Sequence, residues 1–369
     1  MITAIIITSL SILTFGTKAF GYQEFVRHGY FSCISCHLSP AGGGILTEYG
    51  RSYGAEKLTR SASKDEEKPF HGLAPEMPSW LMLGGNIRQV QTATKTATTH
   101  DGRWIAMQRD IDVCAKGGPV TACVTGGIVR RAEQEASGQT RYGIRKALVQ
   151  FQSQTQTGES LITRAGKFSP RYGLMIADHT SFIKQSLGFG LGDEQNQVDA
   201  TWTTEKFEIA GSYIFDRVPG MTLNAMIPVK ETMQVGMSYR SQNAPDFTTH
   251  TDGLFAGLGF SDATYLLAEV DRQTTALDAG PQELPRTSTT WVTYTKLGHE
   301  VSRGIVTYVQ HQVEFKESAG NTQRRDSFGL GIQVFPRPHF EIDAYYGRIV
   351  NQKNMTYMNM AYILLHYYI

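Results

Sequence analysis

Apolar and polar side chains alternate along most of the chain from Trp80 to the C-terminus. Successive side chains of a β-strand point to opposite faces, so a period of two indicates strands with one apolar and one polar face. The polar faces carry Glu269, Asp271, Glu341 and Asp343. The apolar faces are formed by Val198, Ala200 and Trp202; by Phe207, Ile209, Tyr213 and Phe215; by Leu266, Ala268 and Val270; by Phe328, Leu330, Ile332 and Val334; and by Phe340, Ile342, Ala344 and Tyr346.

A transmembrane antiparallel β-barrel is the all-β fold that this pattern favours. We count about 15 candidate strands, and bacterial barrels have an even number, so we expect 14 or 16. The C-terminal residues resemble the last strand of outer-membrane proteins, because Ala361, Ile363, Leu365, Tyr367 and Ile369 share one apolar face. The alternative is a soluble β-sandwich, which buries its apolar faces against a second sheet.

The chain is expected to divide into three parts. Residues 1–21 are a predicted signal peptide, since residues 2–16 are nearly all apolar or hydroxylated and too few for a comfortable membrane-spanning helix. A buried strand is the alternative for them. Residues 22–79 contain a small helical segment, with a helix predicted over residues 46–58 and a charged linker over residues 63–69. Residues 80–369 form the predicted outer-membrane barrel.

Composition narrows the choice of function. The 35 basic and 34 acidic residues give a net charge of +1, so we expect no nucleic-acid partner, which would need a concentrated basic face. The mean hydropathy is slightly negative. This value suits a barrel with a polar lumen, embedded in outer-membrane lipid, better than a helical membrane protein.

The sequence Cys33-Ile34-Ser35-Cys36-His37 is a motif for covalent attachment of one haem c. Its two thiols add to the haem vinyl groups, and the adjacent imidazole binds the iron. The roles that follow are covalent anchoring by Cys33 and Cys36 and axial ligation by His37. Zinc binding and dithiol redox chemistry are the alternatives for the cysteine pair, but no second ligand pair follows at the spacing of a zinc finger.

The sixth ligand of the iron stays open at this point. His28, His71, Met77 and Met82 are the nearby candidates, and each could instead be an ordinary surface or packing residue. A methionine would raise the redox potential relative to a second histidine, and a five-coordinate iron would bind small ligands.

Three stretches resemble the porin–cytochrome type of protein, a porin-like outer-membrane barrel with an N-terminal mono-haem c-type cytochrome segment. They are CISCHLSPAGGG with the following LTEYGR, WLMLGGNIR at residues 80–88, and AGKFSPRYGL at residues 165–174 with the nearby Asp178-His179-Thr180. Beyond about residue 195 only the general barrel pattern is shared. The resemblance implies electron transfer at the Gram-negative outer membrane, with the haem segment facing the periplasm or plugging the lumen.

The connection over residues 169–195 is too long for a tight turn. Its position is similar to that of the loop that narrows general porins, so Arg171, Asp178, His179 and Lys184 are candidates to line a constriction. An ordinary surface loop is the alternative. No hydrolase, metalloprotease or P-loop motif accompanies these residues, so we expect no enzyme.

Cys114 and Cys123 flank Lys116-Gly117-Gly118-Pro119, which reads as a hairpin turn. An antiparallel register would place the two cysteines opposite each other. We therefore expect either a disulfide, which an oxidising periplasm permits, or two separate thiols.

Three functions remain in competition. The first is a redox barrel that exchanges electrons with a periplasmic or multi-haem cytochrome partner, because one haem cannot bridge a hydrocarbon core of about 30 Å. The second is a solute or ion channel whose haem segment is a plug or sensor. The third is a haem peroxidase, in which His28 or His71 would act as the distal acid–base residue.

Overall fold

The computed structural model describes residues 23–73, 77–129, 141–156, 158–190, 192–277 and 286–369. The predicted signal peptide, residues 1–21, lies outside the described residues. The strands are β1 (Leu81–Lys95), β2 (His100–Gly117), β3 (Val120–Val129), β4 (Arg141–Gln154), β5 (Ser160–Phe168), β6 (Gln195–Thr203), β7 (Glu208–Ile214), β8 (Gly220–Lys230), β9 (Met233–Asn243), β10 (Phe247–Gly259), β11 (Thr264–Leu277), β12 (Arg286–Ser302), β13 (Ile305–Ser318), β14 (Asn321–Val334), β15 (Phe340–Asn351) and β16 (Thr356–Tyr368).

The strands form one closed antiparallel barrel. Each strand pairs with its neighbours in sequence, and β1 pairs with β16 to close the ring. The barrel prediction is therefore confirmed, with the larger of the two expected strand numbers. Because the strand number is even, the chain enters β1 and leaves β16 at the same end, which we call the terminal mouth.

The alternation of side chains places the predicted apolar faces on the outside. Leu330 exposes 56 % of its surface and Ile342 38 %, whereas Asp343 exposes 8 %. Glu269 and Asp271 are also buried inside the barrel. The strand faces thus follow the period of two that the sequence predicts.

Short turns suit the tight pairing of consecutive strands. Between β13 and β14, Ala319 and Gly320 both have positive φ angles, 47° and 75°. Two such residues match the twist of a two-residue hairpin, so the strands can pair up to Ser318 and Asn321.

Residues 23–73 form a compact segment at the terminal mouth. It contains short 3-10 helices over Gln23–His28, Cys33–Ser35 and Pro69–Gly72, and the α-helix α1 (Glu48–Tyr53). The helix predicted over residues 46–58 is shorter than expected, because Leu46 pairs with His37 in a β-bridge and Thr47 caps the helix. The chain continues as a π-helix over Gly54–Leu58. Among the described residues, no helix combines the length and apolar character needed to cross a membrane.

The charged stretch over residues 63–69 is not a free linker. Arg337 lies in the turn between β14 and β15. It forms an ion pair with Glu66 at 2.7 Å and donates to Ser63 Oγ at 2.7 Å. The stretch therefore packs on the rim of the barrel, where the opposite charge of Arg337 holds it.

A second segment fills the interior from the other end. The loop over residues 169–194, with residue 191 outside the described part, folds inward and carries the short helix α2 (Phe182–Gln185). Its apolar residues pack on apolar residues of the inner wall, so the lumen is not uniformly polar. The cluster comprises Tyr172, Leu174, Phe182, Ile183, Leu187 and Phe189 of the loop with Met226, Phe255, Tyr265, Leu267, Val292, Tyr294 and Val306 of the wall.

Adjacent residues of β16 test which face of the barrel contacts lipid. Ile363 points outward and is 51 % exposed, whereas Leu364 lines the lumen. We expect Ile363→Lys to lower the free energy of unfolding by about 2–4 kcal/mol if the site lies near the bilayer midplane, because it puts a charge against hydrocarbon. Leu364→Lys, the matched control, should cost less because its charge can reach lumen water. Urea titration of protein refolded into phospholipid vesicles measures both, and equal losses would contradict the assigned faces.

Candidate functional site

The Cys-x-x-Cys-His motif lies on a short turn that the following helix holds in place. Cys33–Ser35 form a 3-10 turn, and His37 N donates to Cys33 O at 2.9 Å. Thr47 caps α1 with its hydroxyl oxygen, which accepts from Gly50 N at 3.0 Å. The same hydroxyl donates to Ser35 O at 2.6 Å, so the cap ties the helix to the motif.

Glycines allow the chain to close around the motif. A Cβ on Gly50 would lie 2.4 Å from Cys36 O, so only glycine lets α1 approach the motif this closely. Gly42, Gly43 and Gly44 have φ angles of 74°, 67° and 66°, in the left-handed region that other residues rarely adopt. A Cβ on Gly42 would reach 3.4 Å from Cys33 Sγ, so the absence of a side chain leaves space beside this sulfur.

The two motif cysteines are buried and are not joined to each other. Burial raises the pKa of Cys33 to about 11 and that of Cys36 to about 12. Dithiols that work in redox exchange have lowered thiol pKa values, because the thiolate is the reactive form. The surroundings of this pair therefore do not suit dithiol redox chemistry.

The donor geometry also does not suit zinc. Across the described ranges, no group of three or more histidine, cysteine, aspartate or glutamate side chains is placed to hold a metal ion. A structural zinc site needs four such ligands in a tetrahedron.

His37 borders a cavity inside the terminal mouth. Its Nδ1 is buried without a hydrogen-bond partner. Burial lowers the pKa of His37 to about 4, so the imidazole is neutral, the form that binds metals. The cavity has a volume of about 250 Å³ and is also lined by Cys36, the three glycines and Leu46. A buried neutral imidazole beside a cavity and two free thiols fits a covalently attached haem.

Ion pairs and hydrogen bonds fix this segment in the mouth. Arg27 pairs with Glu300 at 2.6 Å, and Glu24 pairs with Lys296 at 3.0 Å. Arg303 Nε donates to Thr59 O at 2.7 Å. Arg27 and Lys296 are largely buried. Removing only one partner of either ion pair would leave a buried charge unpaired and would strongly lower the stability of the fold.

The nearby candidates for the sixth ligand lie away from the cavity that His37 borders. His28 ends the first 3-10 helix and packs beside Phe25. His71 stacks against the adjacent rings of Phe340 and Tyr367. Met77 precedes β1, and Met82 faces Cys114 across the β1–β2 pair. None of these four candidates is among the described residues that line the cavity.

Wall residues hold the loop over residues 169–194 inside the barrel. Tyr172 Oη donates to Asp271 at 2.9 Å, and Leu174 N donates to Glu269 at 2.8 Å. Phe182 N donates to Gln312 Oε1 at 2.6 Å. Glu269 and Asp271, two of the acidic residues of the predicted polar faces, thus anchor the loop.

The loop leaves a lumen cavity of about 690 Å³, which we call the passage, along the β1, β13 and β16 side of the barrel. Asp178, His179 and Lys184 line it, and their role as a constriction stays a prediction. Arg171 does not reach it, because its buried guanidinium pairs with Glu208 of the wall. The other charged residues along the passage are Glu24, Arg88, Asp193, Lys296, Glu341 and Asp343.

Sequence reasoning did not single out Arg88 or Met175. Arg88 Nη1 lies 2.9 Å from His179 Nε2, and Met175 lines the cavity beside His37. The signal for Arg88 was available, because a charged residue on the inner face of a predicted strand marks the lumen. Met175 carried no local signal, since a methionine in a loop has no pattern of its own.

Cys114 and Cys123 are joined by a disulfide in the β2–β3 hairpin. They are direct cross-strand partners, and the strands pair up to Gly117 and Val120. The bridge fixes the register of this hairpin near the terminal mouth.

Comparisons with known proteins identify the fold. No family model and no curated protein matches the chain. The solved structures that are similar to it include OmpT with loop L8 deleted, an outer membrane protein of Vibrio cholerae, at 14% identity and a TM-score of 0.56, covering 78% of this chain and 99% of that one. The outer membrane channel DcaP of Acinetobacter baumannii has 10% identity and a TM-score of 0.56, covering 80% of this chain and 100% of that one.

A third similar structure is an anion-selective porin from Comamonas acidovorans. It has 9% identity and a TM-score of 0.52 and covers 78% of this chain and 99% of that one. At these identities the likeness shows a shared fold, the 16-stranded antiparallel barrel of outer-membrane porins.

Proposed function

We propose that this chain is an outer-membrane channel of the porin type, narrowed by its inward loop (residues 169–194) and partly filled at the terminal mouth by a segment that carries one covalent haem c. The observation that carries the channel is the passage between the inward loop and the wall, with charges of both signs along it. Such a lining suits small hydrated ions or polar solutes rather than apolar molecules.

The outer surface supports a place in a bilayer. Large apolar side chains cover it, and exposed aromatic residues lie near both ends of the strands, as in the aromatic girdles of membrane barrels. Near the terminal mouth these are Trp80, Phe151, Trp202, Phe260 and Phe340; near the opposite end they are Trp104, Tyr142, Tyr213, Phe215 and Tyr357. The similar structures include an outer membrane channel and a porin, which favours the same location here.

The haem segment would then face the periplasm. Even-stranded outer-membrane barrels have both termini on the periplasmic side. Residues 23–73 pack at that mouth against Glu300, Arg303 and Arg337. The segment, residues 23–73, acts as a partial plug of the proposed channel.

Two neighbouring residues of β1 allow a test of whether ions are conducted through the passage. Thr92 lines it, whereas Ala93 lies on the outer face. In planar bilayers we expect the single-channel conductance of Thr92→Cys to fall after modification with a charged methanethiosulfonate, because the added group narrows the passage. The conductance of Ala93→Cys and that of the parent protein should not change after the same treatment. A silent parent protein, or equal responses of the two variants, would contradict a channel through this passage.

Electron transfer is the second function that we propose, and the buried motif beside its cavity favours it. Haem supplies an iron that can take up and release one electron. Cys33 and Cys36 would hold it, and His37 would bind its iron. The exposed Tyr49, with Tyr30 and Tyr53 beside it, lies between Cys36 and the outside of the plug, where a periplasmic or multi-haem cytochrome could approach.

Mass spectrometry tests the haem directly. In a host that matures c-type cytochromes, we expect one haem added to a single peptide that contains both Cys33 and Cys36. Cys33→Ala with Cys36→Ala should remove it, while Cys114→Ala with Cys123→Ala, the matched control, should keep it. Covalent haem that persists without the motif thiols would overturn the assignment.

A further inference from the structure

We propose that Met175, in the loop that narrows the lumen, is the sixth ligand of the haem iron. This inference rests on the proposed attachment of haem at Cys33, Cys36 and His37. It assigns the second axial position to a residue far from the motif in sequence, on the element that also shapes the passage.

Met175 and His37 line the same cavity. The two side chains come from different segments, His37 from the plug and Met175 from the inward loop. The loop side of the cavity also contributes the apolar Pro170, Ile176 and Ala177 and the polar His179, Lys184 and Asp193. A planar apolar cofactor held by His37 would therefore have Met175 as a soft donor within the same enclosed space.

Contacts on the residues just before and after Met175 hold it in position. Gly173 N donates to Ser238 Oγ at 2.8 Å, and Leu174 N donates to Glu269 at 2.8 Å. Ile176 N donates to Leu174 O at 2.8 Å, which closes a tight turn around Met175. A preorganised ligand loses little conformational entropy when it binds.

The Nε2 atoms of the other histidines along the cavity are already engaged. His366 Nδ1 lies 2.8 Å from Glu341 Oε2, and His366 Nε2 lies 3.1 Å from Asn86 Oδ1. His179 Nε2 lies 2.9 Å from Arg88, which can only donate. His339 Nε2 faces the carbonyl oxygen of Glu66 at 3.1 Å. Binding iron with Nε2 of any of these rings would break one of these contacts, whereas the Met175 thioether has no strong hydrogen bond to give up.

Ligation by Met175 would join the plug and the inward loop through one metal. Axial methionine also raises the redox potential relative to a second histidine. The haem would then stabilise the narrowed form of the lumen as well as carry an electron.

Visible absorption of the full-length matured protein tests the ligand. We expect the oxidised protein to show the weak red band of methionine-to-iron charge transfer, and the reduced protein to bind carbon monoxide poorly. Met175→Leu, which nearly conserves side-chain volume, should lose the band and bind carbon monoxide readily while keeping its covalent haem. Met175→His should also lose the band, keep carbon monoxide out and lower the midpoint potential.

Three control variants make the result specific. Met77→Leu, Met82→Leu and His179→Gln should each keep the band and the potential of the parent protein. The proposal is overturned if the parent protein lacks the band, if Met175→Leu keeps it, or if one of the control variants loses it instead. Absence of covalent haem by mass spectrometry would overturn the haem attachment itself, so the two failures are distinguishable.

Discussion

The pairing of β1 with β16 is the interaction on which the rest of the structure depends. It joins the first and last strands of the sheet, so no strand edge is left with unpaired backbone groups, which a hydrocarbon surrounding would not tolerate. Closure also places Ile369 beside β1, since Ile369 N donates to Gly85 O at 3.0 Å. Ile45 of the plug packs beside Gly84 at this seam, where a side chain would clash. The motif segment thus contacts the seam at the terminal mouth through Ile45.

Two segments inside the barrel shape its lumen, namely the plug (residues 23–73) and the inward loop (residues 169–194). The plug enters from the terminal mouth and is held by ion pairs such as Arg27 with Glu300. The inward loop enters from the other end and is held by Glu269 and Asp271 of the wall. Charged residues that alternate along the strands therefore serve as anchors as well as lumen lining. The cavity beside His37 and the narrowed passage exist because these two segments approach each other without filling the barrel.

Local patterns predict the wall of the molecule better than its interior. The outward faces of Leu330 and Ile342 follow from the period of two, and the haem motif is contiguous in the sequence. The inner wall around Tyr265 and Tyr294 was not predictable, because it is apolar only where the distant loop packs on it. Nearness to the motif in sequence points to His28, His71, Met77 and Met82 as sixth ligands and gives no weight to a residue as distant as Met175. Contacts between distant segments depend on the closed fold and leave no periodic signal.

The central claim is that one haem sits inside the terminal mouth, beside His37 and between the plug and the inward loop. Anomalous diffraction at the iron absorption edge, from crystals of the matured protein, measures this most directly. The account predicts a single iron peak at bonding distance from His37 Nε2, enclosed by the barrel wall. An iron peak outside the barrel, or a motif segment displaced from the mouth, would contradict it.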